Sequence, residues 1–328
     1  MTSTAPNLTT TVASQWIDSI RDDLRRVEDK MRRAARMEHE TLDAAVEALI
    51  GAGGKRLRPA VTLYAGQIFG AALDDVVSVA ASIELLHTAT LVHDDLIDGA
   101  DERRGAPTLH SRMPIGVTVL TGDFLFAQSA ALAAEANNVR VVRLFADTLV
   151  AICRGEILQA QTRFKVPSAE VYQQRIYGKT AALFEAAATA AALLGDAGED
   201  DIALMATYGR ELGLAFQIVD DALDFASTTE TLGKPAGHDM RGGILNLPVM
   251  YYVQNGFISE DDLIKRLTSE NNTDALVADI RETGMVEKSL DDARRHVQNA
   301  RAALEDTPGG PGAENLAAIA EYALARLY

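Results

Sequence analysis

Much of what would place this chain in a familiar class is missing from it. One cysteine, Cys153, stands among 328 residues, which excludes an internal disulfide framework. Its thiol reads as a small buried hydrophobe with no reason to be reactive. Proline is scarce, at 9 residues, so long helices meet few interruptions. Lysine and arginine number 31 against 47 aspartates and glutamates, a net charge of −16. That balance argues against nucleic acid as a partner, since a nucleic-acid binder needs a basic face. No charge-free apolar run reaches the roughly eighteen residues of a membrane span. Met1–Thr11 lacks the basic start and apolar core of a secretory signal. These absences point to a cytoplasmic protein with no transmembrane segment. No repeat with a period of about 20–50 residues stands out, nor does an alternating strand pattern.

What is present is helical. Apolar residues make up 48% of the chain, enough for a sizeable core, and Ala, Leu, Glu and Arg crowd the sequence. Trp16–Met37 and Glu38–Ile50 read as the first helices, the second stopped by Gly51, Gly53 and Gly54. Pro59 fits the first turn of a helix running to about Phe69. A long helix capped by Asp74 or Asp75 reaches Asp98, and Gly99–Pro114 is a polar loop. Val117–Glu135, Val141–Arg163, Ala169–Leu194 and Asp200–Ala226 are predicted long helices. Thr228–Asn246 reads as a loop, and shorter helices lead to a last one ending near Leu327. The expected fold class is all-α, one helical domain over 1–328 with Met1 to about Thr11 as a flexible start.

Two acidic clusters stand out. His93-Asp94-Asp95-Leu96-Ile97-Asp98 ends the apolar run Ile83–Val92. In the other half of the chain, Asp220-Asp221-Ala222-Leu223-Asp224 repeats the Asp-Asp-x-x-Asp spacing after Phe216-Gln217-Ile218-Val219. Carboxylates at that spacing share one helix face and repel by a few tenths of a kcal/mol when exposed. The cost rises with burial unless a cation sits between them. Paired carboxylate oxygens suit Mg²⁺, which keeps several waters and completes its shell with substrate phosphates. A solvated acidic face is the ordinary account of one such cluster. Two of them, each set in apolar helix, favour a cation site.

A phosphate-handling site in so acidic a chain needs local cations. Gly53-Gly54-Lys55-Arg56-Leu57-Arg58-Pro59 sets three within four residues, and Arg103-Arg104-Gly105 follows the first acidic cluster. Lys179-Thr180 and Gly233-Lys234 lie near the ends of apolar helices. The guanidinium fork matches phosphate oxygens, while lysine acts as a point charge.

In these elements the chain resembles the trans-isoprenyl diphosphate synthases, the polyprenyl synthetase family. The matching segments are GGKRLRP (53–59), ELLHTATLVHDDLID (84–98), ERRGAPT (102–108), GDFLFAQ (122–128), GKTAALF (178–184) and GLAFQIVDDALDF (213–225), in family order. The resemblance implies a helical bundle of the isoprenoid synthase fold around a central substrate cavity, a homodimer, and several Mg²⁺ ions per site. By position, Lys55, Arg58, His87 and Arg104 match residues that bind isopentenyl diphosphate. Arg103, Lys179, Thr180, Gln217 and Lys234 match residues near the allylic diphosphate or its departing group. Asp94, Asp98 and Asp220 match the Mg²⁺ ligands, with Asp95, Asp221 and Asp224 read as supporting groups. The chain departs from the family after the second aspartate motif, where Ile244 and Asn246 stand in place of a common Lys and Thr. Arg241 is the candidate replacement cation.

The implied reaction is a condensation. The allylic C–O bond ionises, the double bond of isopentenyl diphosphate attacks the cation, and a proton leaves. Asp94, Asp98, Arg103, Lys179, Gln217 and Asp220 form the catalytic set. Ala89 and Thr90, five and four positions before Asp94, are small where a growing tail would run. In the family, small residues there accompany long products. A long all-trans product of the quinone side-chain type is expected, with geranylgeranyl diphosphate as the alternative. A non-catalytic subunit would lack some of these aspartates or arginines, and a terpene cyclase would not need the second cationic site.

Overall fold

The computed structural model describes residues 16–51, 56–103, 105–226, 236–268 and 273–325. Lys55, Arg104, Lys234 and the expected flexible start lie outside them. Helices form where apolar periodicity placed them, and one further short helix, His238–Arg241, forms within the expected loop Thr228–Asn246. In chain order they are α1 (Arg21–Ala34), α2 (Glu40–Gly51), α3 (Leu57–Ile68), α4 (Leu73–Ile97), α5 (Ile115–Glu135) and α6 (Val139–Gln161). After these come α7 (Ala169–Ile176), α8 (Ala182–Leu194) and α9 (Glu199–Ala226). The remaining described helices are α10 (His238–Arg241), α11 (Leu247–Gln254), α12 (Glu260–Thr268), α13 (Thr273–Glu282), α14 (Met285–Glu305) and α15 (Pro311–Ala325).

Two helices carry the architecture. α4, 25 residues long, packs against α1, α3, α5 and α8. That encirclement explains why it is apolar on every side rather than on one stripe. α9, 28 residues long, packs against α8, α14 and α15. A core including Trp16, Leu63, Leu85, Phe184 and Tyr208 joins α3, α4, α8 and one flank of α9. Burying one such leucine contributes about 1.5–3 kcal/mol. A second cluster under α9, α11 and α14 holds the other flank. The C-terminal ends of α4 and α9, which carry the acidic motifs, are thereby fixed.

The structure corrects several expectations. Asp74 and Asp75 do not cap α4: the helix begins at Leu73 behind Ala72, and both aspartates sit in its first turn. There they still complement the positive helix end. The polar loop after α4 contains a short antiparallel ribbon, β1 (Glu102–Arg103) against β2 (Ala106–Pro107). The ribbon turns at Gly105, whose φ is +76°. The helix expected over Ala169–Leu194 is broken by a π-helical turn at Tyr177–Ala181. That turn lies hard against α6, where a Cβ on Gly178 would stand 2.5 Å from the Ala151 carbonyl oxygen and 2.8 Å from Gly155 Cα.

Cys153 is exposed on α6 rather than buried. It shares the outer face of α6 with Val150, 47% exposed, and Ile157, 57% exposed. α4 and α5 are also long and apolar enough to cross a membrane by length and composition. A charge-free criterion missed them because isolated acidic residues interrupt each. The apolar window of α4 is 78% buried inside the protein and that of α5 33%.

Candidate active site

Both Asp-Asp-x-x-Asp motifs sit at helix C-termini, on α4 and α9. A helix C-terminus favours cations and disfavours carboxylates by roughly 0.3–1 kcal/mol each. Local structure therefore gives no reason for the clusters, which points to a ligand. Between the two helix ends lies a cavity of ≈ 400 Å³. α4 contributes His87, Thr90, Asp94 and Asp98 to its wall, and α9 contributes Asp220. Arg58 enters from α3, Arg103 from β1, and Lys179 and Thr180 from the π turn. Gln217 and Ala89 are buried behind this wall rather than in it.

The cations divide into held and available ones. Arg56 is fully engaged: it donates to Glu28 at 2.9 Å, to Glu84 at 3.1 Å and to the Ile50 carbonyl. Arg58 is different. Its Nε is buried without a partner, and its guanidinium lies 4.8 Å over the Phe184 ring. Burial lowers the Arg58 pKa, against the pull of Glu84 and Asp220. A buried donor without an acceptor is costly, and an anion in the cavity would satisfy it. Arg103 donates from Nε to the buried Asp95 at 2.7 Å, which fixes it on the wall. Lys179 donates to Gln159 at 3.3 Å. Burial works against its charge, but Asp239, Glu156 and Asp94 outweigh that and raise its pKa.

The carboxylates are strained by their setting. Burial, then Glu156, push Asp94 up to about 7, with Lys179 opposing. The aspartates of the second motif play separate parts. Asp220 lines the cavity. Asp221 accepts from Tyr172 at 2.7 Å and from Gln217 at 2.8 Å, and burial pushes it up to about 6. Asp224 accepts from the backbone N–H groups of His238 at 3.0 Å and Asp239 at 3.2 Å, fastening the start of α10. Among the described residues no three His, Cys, Asp or Glu side chains converge to enclose an ion. Oxygen donors spread over two helix ends fit a hydrated Mg²⁺ that takes phosphate oxygens, rather than a metal caged by protein.

Other residues at the site have no obvious sequence signal. Glu156, Gln159 and Asp239 face Lys179 electrostatically or by hydrogen bond. The spacing of Glu156 and Gln159 on α6 is their one sequence clue, since it places both on the face toward the π turn. Arg241, the candidate replacement cation, is not in the cavity wall, and its guanidinium pairs with Asp274. Below the cavity, the same face of α4 continues through Leu86, Ile83, Ser82 and Val79 into an apolar cleft. Phe145 of α6 and Leu183, Ala186 and Ala190 of α8 complete the cleft, which has a volume of ≈ 10 Å³.

Comparison with known proteins agrees with this geometry. The Polyprenyl synthetase family model matches residues 39–283. A prenyl transferase of Synechocystis sp. is 37% identical over 312 residues, covering 93% of this chain and 96% of that protein. Heptaprenyl diphosphate synthase component 2 of Bacillus subtilis is 33% identical, covering 92% and 88%. A polyprenyl synthase of Caulobacter crescentus, solved with calcium and isoprenyl diphosphate, matches with TM-score 0.89 and 35% identity over 96% of this chain and 98% of that one. A geranylgeranyl pyrophosphate synthetase of Pyrococcus horikoshii matches with TM-score 0.86 and 28% identity over 95% and 98%. With the family model spanning most of its length and two aspartate motifs meeting across one cavity, the chain belongs to the polyprenyl synthetase family of prenyltransferases.

Proposed function

We propose that this chain condenses isopentenyl diphosphate with an allylic diphosphate to build a long all-trans polyprenyl diphosphate. The observation that carries the reading is one cavity lined by Asp94, Asp98 and Asp220 together with Arg58, Arg103 and Lys179. Asp94, Asp98 and Asp220 would hold Mg²⁺, which when bound supplies charge to a departing diphosphate. Arg103 and Lys179 stabilise the negative charge that develops as the allylic C–O bond breaks. Arg58 and His87 hold isopentenyl diphosphate, with Lys55 and Arg104 assigned by sequence to the same anion. Its double bond attacks the allylic cation, and the proton lost goes to the freed diphosphate. No side-chain nucleophile is required.

The tail extends from Thr90 toward the apolar cleft. Small residues there, Ser82, Ala186 and Ala190, let neighbouring helices give way to a long product. A second reading, geranylgeranyl diphosphate, is favoured by the narrowness of the same cleft, ≈ 10 Å³. We assign the chain to a single cytoplasmic domain acting as a homodimer. The exposed apolar residues Ile115, 67% exposed, Leu120, 68%, and Val139, 80%, support a second copy covering α5 and α6. The test is incubation with Mg²⁺, farnesyl diphosphate and radiolabelled isopentenyl diphosphate, with the dephosphorylated products resolved by chromatography. A ladder ending at a long prenyl alcohol is expected. A single geranylgeraniol product would select the second reading, and no incorporation with any allylic primer would refute condensation by this chain alone.

A further inference from the structure

Building on the condensation proposed above, we infer that Tyr172 is a positioning residue that sets the direction of the Thr180 hydroxyl in the active-site cavity. Four buried side chains form a line from α7 to the cavity wall: Tyr172 at 3% exposure, Asp221 at 4%, Gln217 at 8% and Thr180 at 6%. Tyr172 Oη donates to Asp221 Oδ2 at 2.7 Å. Gln217 Nε2 donates to Asp221 Oδ1 at 2.8 Å. Thr180 Oγ1 donates to Gln217 Oε1 at 2.5 Å. Thr180, at the end of the line, is in the cavity wall.

The directions follow from which groups can donate. An amide carries its donors and its acceptor on separate atoms, so Gln217, which gives its NH₂ to Asp221, turns its carbonyl toward Thr180. Thr180 has one proton and gives it to that carbonyl. What it then offers the cavity is oxygen lone pairs. Lone pairs repel the oxygens of a diphosphate and attract electron-poor carbon. Lys179, one residue earlier in the same π turn, carries donors only and meets the anion. Adjacent residues thus face the two halves of a bond that ionises, an ammonium for the leaving diphosphate and a hydroxyl oxygen for the carbon left behind.

Tyr172 makes this line one-directional. Burial, then Asp221, hold its hydroxyl protonated, with a pKa well above the ordinary tyrosine value. The Arg175 guanidinium lies 5.5 Å over the Tyr172 ring and is itself fixed by donating to the Leu245 carbonyl at 2.8 Å. Without the Tyr172 hydroxyl, Asp221 keeps a buried oxygen unpaired and can rotate. Gln217 then loses its anchor, and its amide can turn over. Thr180 would accept from the NH₂ and point its own proton at the substrate.

The test is a double-mutant cycle of Tyr172→Phe and Thr180→Val in the full chain. Single-turnover condensation of farnesyl and isopentenyl diphosphates gives the rate, and calorimetry with inorganic diphosphate gives anion affinity. Wild-type turnover tests the condensation itself, while the cycle tests the relay, so the two failures are told apart. Each single variant should lower the rate about tenfold, the scale of a misoriented group. The double variant should fall no further than Thr180→Val alone, because both act through one hydroxyl. Affinity for inorganic diphosphate and KM for isopentenyl diphosphate should stay within about twofold of wild type, and Thr180→Ser should keep most of the rate. Should Tyr172→Phe not fold, Gln217→Leu takes its place in the cycle with the same expectation. Additive losses, a fall in diphosphate affinity, or a Tyr172→Phe rate near wild type would each overturn the proposal.

Discussion

Asp94→Asn should make the metal-free protein more stable at pH 8 while abolishing its turnover. The Asp94 carboxyl is pushed from its ordinary 3.8 to about 7, by burial first and Glu156 second. Holding it ionised above pH 7 therefore costs up to about 4 kcal/mol, at about 1.4 kcal/mol per tenfold in affinity for the proton. Between pH 3.8 and about 7, the folded chain binds the proton and the unfolded chain does not. Stability from this group therefore falls as pH rises through that window and is flat above it. Asparagine removes the charge but stays a buried amide, so roughly half the ceiling, ~2 kcal/mol, should be recovered. For a chain of this size that is about 4 °C in Tm. The assay is thermal unfolding from pH 5 to 8 with a chelator, wild type beside the variant. The two curves should meet near pH 5 and separate by pH 8. Turnover with Mg²⁺ should drop at least ~100-fold, as for loss of a group that stabilises developing charge. A metal-free variant less stable than wild type at pH 8 would refute the electrostatic argument, and retained turnover would refute the cation site.

Thr90→Phe, which places a ring in the cavity wall, should shorten the product seen by chromatography. Ala89→Phe should instead cost about 1–3 kcal/mol in denaturant unfolding, because Ala89 is 0% exposed in the core; an unchanged product from Thr90→Phe would remove the floor argument. Gly122→Ala should lose about 1–3 kcal/mol and some turnover. Its Cβ would stand 2.2 Å from His93 Nε2, and His93 precedes Asp94 on α4. A variant as stable as wild type would contradict that close fit. Arg241→Ala should leave diphosphate affinity by calorimetry within about twofold, since the arginine is spent on Asp274 outside the cavity. A larger loss would restore Arg241 as the replacement cation.

How far the sequence could be read depends on the range of the forces involved. α4 was legible because a helix enclosed by α1, α3, α5 and α8 must be apolar throughout, and that composition shows in any window. The proposed cation site was legible because carboxylates repeated at helical spacing are costly without a counter-charge. Arg56 and Arg58 could not be separated, since their neighbours in the chain are alike. Glu28 and Glu84 neutralise Arg56, and neither lies in the basic motif. The π turn was invisible for the same reason: it depends on the close approach of Gly155 and Gly178 from two elements. The exposure of Cys153 reflects a helix face that nothing in the described chain covers.

The second aspartate motif shows where the limit falls. Helical geometry alone sets Asp220 and Asp224, four apart, on one face of α9 and turns Asp221 to another. What each does depends on what waits there: the cavity for Asp220, Tyr172 for Asp221, the start of α10 for Asp224. Tyr172 stands 49 residues away and His238 14, and neither carries a spacing that announces the contact. The motif therefore identifies the chemistry, while distant partners decide which aspartate performs it. Substituting Asp220 and Asp221 singly should consequently give different losses, one in metal-dependent binding and the other in rate alone.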